Sequence, residues 1–203
     1  MKAVRETIEG AIEAGVEILT LFAFSTENWN RPEREVSALM RLLQHYARKE
    51  MRELKRQGVE VCVLGELERM DASTRTAVRE IVDGTRGGTK MRLNLMISYG
   101  GREELVRSAR ILADRVLAGE LSPDEIDERV VEDTLFTRDL PPPDLLIRTS
   151  GEYRISNFML WQLAYTELHI TSVYWPDFDR EHLFEAVLDY QRRERRFGRV
   201  QSS

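Results

Sequence analysis

The chain is poor in the residues that usually announce a metal or redox centre. It has one cysteine, Cys62, and three histidines, His45, His169 and His182. One thiol forms no internal disulfide and no cysteine metal site. Cys62 sits inside an apolar run and reads as a buried small hydrophobe. The histidines are scattered, without the i, i+4 spacing of a zinc helix. No apolar run reaches the ~18 residues of a membrane span, and Lys2, Arg5, Glu6 and Glu9 interrupt any leader-like opening. There is no basic excess: net charge is -5, which argues against broad nucleic-acid binding. Internal repeats and low-complexity tracts are missing too. A composition with 42% hydrophobic and 32% charged residues over 203 positions suits one ordinary globular domain, and a cytoplasmic location is the default expectation.

What is present is an alternation of short apolar runs and amphipathic stretches. Strands are predicted over 16–24, 59–64, 91–97, 144–148 and 168–173. The first is apolar almost throughout, which predicts burial on both faces. Helices are predicted over 1–14, 33–57, about 73–83, about 102–117, 156–165 and 180–196. In the longest, Val36, Leu39, Met40, Leu43, Ala47, Met51 and Leu54 recur at three- and four-residue steps. Ser122-Pro123 opens a short helix, and Pro141-Pro142-Pro143 is an extended connector. The alternation implies an α/β fold with a mostly parallel sheet flanked by helices. The chain opens on a helix with no strand before it, as if a β-α unit had been cut.

Two polar clusters follow strands. The first is Ser25-Thr26-Glu27-Asn28-Trp29-Asn30-Arg31-Pro32, at the carboxyl end of a strand, where ligands bind in open α/β sheets. A simple capping loop has no need of Trp29 beside Asn28 and Arg31. The second is Arg148-Thr149-Ser150-Gly151-Glu152-Tyr153-Arg154-Ile155-Ser156-Asn157-Phe158. Arginines, hydroxyls and a glycine opening a predicted helix suit an anion; the alternative is a loop held by Arg–Glu pairs. Tyr99-Gly100-Gly101-Arg102 lacks P-loop or dinucleotide spacing and reads as structural. Glu167, predicted just before a strand, is either paired to an arginine or a ligand for a hard cation. Five arginines between Arg192 and Arg199 read as a solvated helix end or a tail reaching an anionic site. Trp29 and Phe158 near these loops suit a ligand with a charged head and an apolar tail.

The segments FSTENWNRP, SYGGRE, DLLIRTSGEYRISNFMLWQLAYTEL, WPDFD and RERRFG resemble, in order, the signatures of the cis-prenyltransferases, the undecaprenyl diphosphate synthase (isoprenyl transferase) family. The resemblance covers nearly the whole chain. It implies a six-stranded parallel sheet with flanking helices and a hydrophobic tunnel, a homodimer, and Mg2+-dependent condensation of isopentenyl diphosphate with an allylic diphosphate, farnesyl or geranyl, to give Z double bonds. It assigns Arg148, Arg154, Ile155 and Ser156 to the diphosphate of isopentenyl diphosphate, and Glu167 to Mg2+. Ser25, Thr26, Glu27, Trp29 and Arg31 would line the place where the substrates meet. Asn28 falls where the family's proposed proton acceptor lies. Since a neutral amide is a poor base, Asn28 is read as positioning the acceptor. Strand 91–97 and helix 33–57 would wall the tunnel, and the Arg196-Phe197-Gly198 end would reach the partner subunit.

The family's opening strand and its Asp-Gly-Asn-Gly-Arg-Trp segment, which carries the key Mg2+ ligand, have no counterpart in this chain. The expectation is therefore a single cis-prenyltransferase domain over 1–203, N-terminally truncated, with its first strand missing. The competing expectation is a catalytically impaired or non-catalytic partner subunit. A generic phosphate-ester hydrolase lacks a nucleophile–base pair. Ser98 stands where the family commonly has Asn. The lipid product, rather than any transmembrane segment, would bring the protein to a membrane.

Overall fold

The computed structural model describes residues 2–193. These divide into two compact units, one built from 2–15, 143–155 and 165–193, the other from 16–142 and 156–164.

The larger unit holds strand β1 (Ile18–Ser25), helix α2 (Glu33–Arg56), β2 (Val59–Leu64), α3 (Ala72–Thr85), β3 (Met91–Tyr99), α4 (Gly101–Leu117) and the short α5 (Glu128–Glu132). Its strands form one parallel sheet in the order β1-β3-β2. β3 is the middle strand and the buried one; Met91, Leu93, Met96, Ile97 and Tyr99 are all core. β1 departs from expectation. Only Phe24 in it is buried, and the rest is half-buried or exposed; β1 is an edge strand of this sheet. Cys62 is likewise half-buried rather than fully buried. α2 begins after Pro32 with Glu33 and Glu35 in its first turn and ends with Lys55 and Arg56, as the helix dipole favours. Its apolar stripe is covered in part: Met40, Ala47 and Leu54 are buried. Met40 joins Phe24, Met70 and Ile97, flanked by half-buried Trp29, Val36, Leu39, Leu43, Val63, Leu67 and Leu95. Asp71 caps α3 by accepting from the Thr74 N–H at 2.9 Å.

The smaller unit holds α1 (Lys2–Glu13), β4 (Leu145–Arg148), β5 (Glu167–Ile170) and α6 (Arg180–Gln191). β4 and β5 pair in parallel. Arg180 on α6 spreads its guanidinium over three carboxylates of α1: Nε to Glu6 at 3.0 Å, Nη2 to Glu9 at 2.8 Å and Nη1 to Glu13 at 2.9 Å. Gly10 makes this approach possible, since a Cβ there would lie 2.9 Å from that of Arg180.

The α/β reading holds, with helices flanking parallel strands. The strands, however, form a three-stranded and a two-stranded sheet rather than one continuous sheet. Among the described residues no further strand pairs with the open edges. A second correction concerns residues 156–165, expected to be helical. They form a series of turns. Ser156, Asn157 and Met159 have φ of +53°, +62° and +46°, a left-handed backbone that cannot propagate an α-helix. Glu167 is accordingly the first residue of β5, preceded by turns rather than by a helix. The Arg196-Phe197-Gly198 tail lies outside the described residues.

Candidate active site

Where β1 ends, the chain tightens into a 3-10 turn over Thr26–Asn30. The Asn28 side-chain oxygen accepts the Ser25 N–H at 3.0 Å, so the amide's acceptor is already used within the loop. Thr26 is buried beneath it. Trp29 turns inward. Its indole N–H donates to the Ser98 hydroxyl at 2.9 Å, its ring meets the edge of Phe24, and the Arg69 guanidinium lies 4.9 Å from its centroid. Arg31 points outward and pairs with Glu35 at 2.6 Å.

The turn after β3 is the other wall. Ser98 takes φ +54° and is 1% exposed, a costly conformation for a serine that the indole contact and the packing around it sustain. Gly100 and Gly101 follow, and a side chain at either would press on its neighbours. A Cβ on Gly100 would fall 2.2 Å from Glu103 Oε2, 2.5 Å from Thr26 Oγ1 and 2.8 Å from Asn157 Nδ2. Asn157 closes the group. Its Nδ2 donates to Glu27 Oε1 at 2.9 Å and to Glu103 Oε2 at 3.0 Å, and its Oδ1 accepts the Arg102 N–H at 2.9 Å. Asn157 stood inside the second cluster but was not singled out from sequence. No spacing rule joins it to Glu27, 130 positions away.

Beneath these loops lies a buried polar knot. Glu104 is 1% exposed, yet it accepts from the Tyr99 hydroxyl at 2.7 Å, the Phe136 N–H at 2.9 Å and Gln162 Nε2 at 3.0 Å. A buried carboxylate needs such donors. Burial, reinforced by the Glu104 charge and its hydrogen bond, raises the Tyr99 phenol well above its ordinary range. Phe158 stacks on Phe22 at 4.7 Å and meets Tyr99 edge-on. It is 7% exposed and packs in the core.

The remaining predicted residues lie in the smaller unit, except Ser156, which stands beside Asn157. Arg148 ends β4, half-buried, and its carbonyl accepts the Thr171 N–H at 2.9 Å. The loop beyond it is stitched down by Ser150 N–H to the Val173 carbonyl and Gly151 N–H to the Thr171 carbonyl, both at 2.8 Å. Ser150 and Gly151 both take positive φ. Arg154 is exposed and pairs with Glu152, and Ile155 is half-buried. The loop thus carries two guanidinium groups, but it opens no helix. Glu167 is held by Arg193 Nη1 at 2.8 Å. Arg193 also grips Asp189, which in turn meets His169 Nδ1 at 2.9 Å. Among the described residues no group of three or more His, Cys, Asp or Glu could hold a metal ion.

The model of the family described as putative undecaprenyl diphosphate synthase matches residues 1–198. An isoprenyl transferase of Prochlorococcus marinus is 46% identical over 98% of this chain and 74% of its own length. A ditrans,polycis-undecaprenyl-diphosphate synthase, (2E,6E)-farnesyl-diphosphate specific, of Xanthomonas axonopodis pv. citri is 48% identical over 97% of this chain and 77% of that protein. Among solved structures, lavandulyl diphosphate synthase from Lavandula x intermedia, in complex with dimethylallyl diphosphate, superposes with a TM-score of 0.93 at 36% identity, covering 97% of this chain and 85% of that one. A probable undecaprenyl diphosphate synthase from Campylobacter jejuni gives 0.84 at 30% identity, covering 98% and 91%. None of these relatives favours a non-catalytic subunit over an enzyme.

Proposed function

This chain belongs to the undecaprenyl diphosphate synthase family of cis-prenyltransferases, and we propose that it joins isopentenyl diphosphate to an allylic diphosphate, giving a Z-polyprenyl diphosphate. The family match over residues 1–198 is the observation that carries the activity. The site assignments rest on loops of the expected chemistry at strand ends.

In the reaction the bond between the allylic C1 and its diphosphate oxygen breaks, and the electron pair leaves with the diphosphate. The isopentenyl double bond attacks C1, a carbon–carbon bond forms, and a proton departs to an acceptor. Arg148 and Arg154 hold the isopentenyl diphosphate by charge-assisted hydrogen bonds, with Ser156 and Ile155 beside them. Bound phosphate would draw Arg154 away from Glu152. Ser25, Thr26, Glu27, Trp29 and Arg31 line the meeting place of the two substrates. Asn28 orients the proton acceptor and does not itself take the proton. Its oxygen already accepts from Ser25, which supports that role.

The half-buried residues of α2 and β3 around Phe24, Met40, Met70 and Ile97 support an apolar wall for the growing chain. Tyr153, Tyr165 and Tyr174 are exposed, as is Leu168, and exposed aromatic surface of this kind supports a homodimer. The single-domain assignment over 1–203 stays part of this reading. No helix among the described residues is long and apolar enough to cross a membrane. The same reading puts the enzyme in the cytoplasm, where its lipid product would bring it to a membrane surface.

The family resemblance implies Mg2+, which would stabilise the leaving diphosphate. Glu167 is the residue assigned to it, yet its carboxylate is committed to Arg193. The described residues do not by themselves fit a resident divalent ion, and no step above runs through one. Incubation with labelled isopentenyl diphosphate, each allylic starter in turn, and Mg2+ present or chelated tests the reading. Label in a longer Z-prenyl diphosphate is expected, and its absence with every starter overturns the proposal.

A further inference from the structure

Asn157 joins its own loop to the turn after β1 and to the start of α4. It sits at φ +62°, a conformation that asparagine and glycine adopt most readily. All of its hydrogen-bonding groups on the carbonyl and side chain are used. The backbone carbonyl accepts the Gly101 N–H at 2.7 Å, and Oδ1 accepts the Arg102 N–H at 2.9 Å. Those are two of the N–H groups that the start of α4 cannot satisfy internally. The two Nδ2 hydrogens go to two different carboxylates, Glu27 and Glu103. Without an amide between them, these like charges would face each other beside Gly100, where a methyl would already press on the polar ends of Glu103, Thr26 and Asn157. Only a side chain with two donors and one acceptor meets all three demands, so an acid cannot replace the amide.

We propose that Asn157 is a positioning residue of the transfer site: its amide locks the Glu27 carboxylate, and with it the turn bearing Asn28, to the start of α4. The inference rests on the prenyl-transfer reading for its consequence, but not for the lock itself. The charged and titratable surroundings agree. Burial works to raise the Glu27 carboxyl, but the hydrogen bond from Asn157, with others from the Glu27 backbone, Ser25 and Thr26, brings it below the ordinary carboxylate range. Glu103 on α4 is the other carboxylate on the shared amide. Because Glu27 is contiguous with Asn28, a shift of this carboxylate moves the residue that orients the proton acceptor.

The test compares Asn157→Asp and Asn157→Gly with the wild type. Glu27 is followed by the carboxyl carbon resonance lost in Glu27→Gln, and transfer is followed by kcat/KM across pH. In Asn157→Asp three carboxylates converge, so Glu27 titrates higher than in the wild type. Transfer falls about tenfold or more near neutral pH, as expected for a lost hydrogen bond to a charged group. It recovers as the pH drops and one carboxyl gains a shared proton. Asn157→Gly keeps the left-handed backbone; it too raises the Glu27 titration and loses transfer, but without recovery in acid. Should Asn157→Asp fail to fold, the glycine variant decides alone. An unchanged Glu27 titration overturns the lock. A shifted titration with unchanged kcat/KM overturns the positioning role. A wild-type chain that transfers nothing, with Glu27 still shifted in the variants, sinks the prenyl-transfer reading and the positioning role with it, and leaves the lock standing.

Discussion

The indole N–H of Trp29 donates to the hydroxyl of Ser98 at 2.9 Å, across 69 positions of sequence. Ser98 accepts that bond from a left-handed backbone at the end of β3. The two residues tie the turn after β1 to the turn after β3, the two segments of the larger unit that carry most of its site chemistry.

Ser98 therefore separates backbone strain from hydrogen bonding. Ser98→Ala keeps the strain and strands the indole N–H, and is expected to cost about 1–3 kcal/mol. Ser98→Gly loses the same bond but relieves a left-handed cost of about 1–2 kcal/mol. The glycine variant should be the more stable of the two in urea unfolding. Equal stabilities would mean that the φ of Ser98 stores no strain.

Gly100 and Gly101 make a second pair. A methyl on Gly100 meets only side-chain ends, those of Glu103, Thr26 and Asn157. One on Gly101 meets Leu160 and the Asn157 carbonyl. Gly101→Ala should lose about 1–3 kcal/mol of stability by overpacking. Gly100→Ala should fold nearly as well as wild type yet lose transfer on the order of 10–100-fold, as a displaced site does. Calorimetry together with kinetics distinguishes them; a fully active Gly100→Ala would show that the three polar groups need not converge.

Tyr99 gives an alkaline signature. Its folded-state phenol titrates above the ordinary value of 10.0. A raised folded pKa contributes stability fully below the unfolded value and loses it as pH climbs through the folded one. Wild-type stability should fall by about 1.4 kcal/mol per pH unit above about 10, beyond what Tyr99→Phe shows. Near neutral pH the variant should be weaker by about 1–3 kcal/mol, since Glu104 loses a donor. Parallel pH–stability curves for the two proteins would contradict this account.

Arg148→Ala addresses the proposed substrate assignment. Loss of a charge-assisted contact to phosphate should raise the KM for isopentenyl diphosphate about tenfold or more, with the allylic KM little changed. An unaltered isopentenyl diphosphate KM would take Arg148 out of that role.

Much of the fold is legible in the sequence. β2 runs over Val59–Leu64 as its apolar run predicts, and α2 ends one residue short of expectation. Strand and helix are set by short-range periodicity, and caps and glycine stops act locally. The motif loops are also contiguous in sequence, which is why FSTENWNRP and the 148–158 stretch pointed to a family directly. Residues 156–165 depart from the expected helix for the opposite reason. Their apolar spacing resembles a helix, but Asn157 gives its carbonyl to Gly101 and its amide to Glu27 and Glu103, and those distant partners hold the backbone left-handed.

The chain by itself determined most of the elements that form and which family this is, because those properties depend on neighbours within a few residues. Tertiary structure alone decided the rest: that Ser98 holds Trp29, that Glu104 is buried on three donors, and that Glu167 faces Arg193. A hydrogen bond or ion pair depends on distances of about 3 Å between atoms, and for Ser98 with Trp29 or Gln162 with Glu104 sequence separation carries no information about such a distance. Packing alone supplies it.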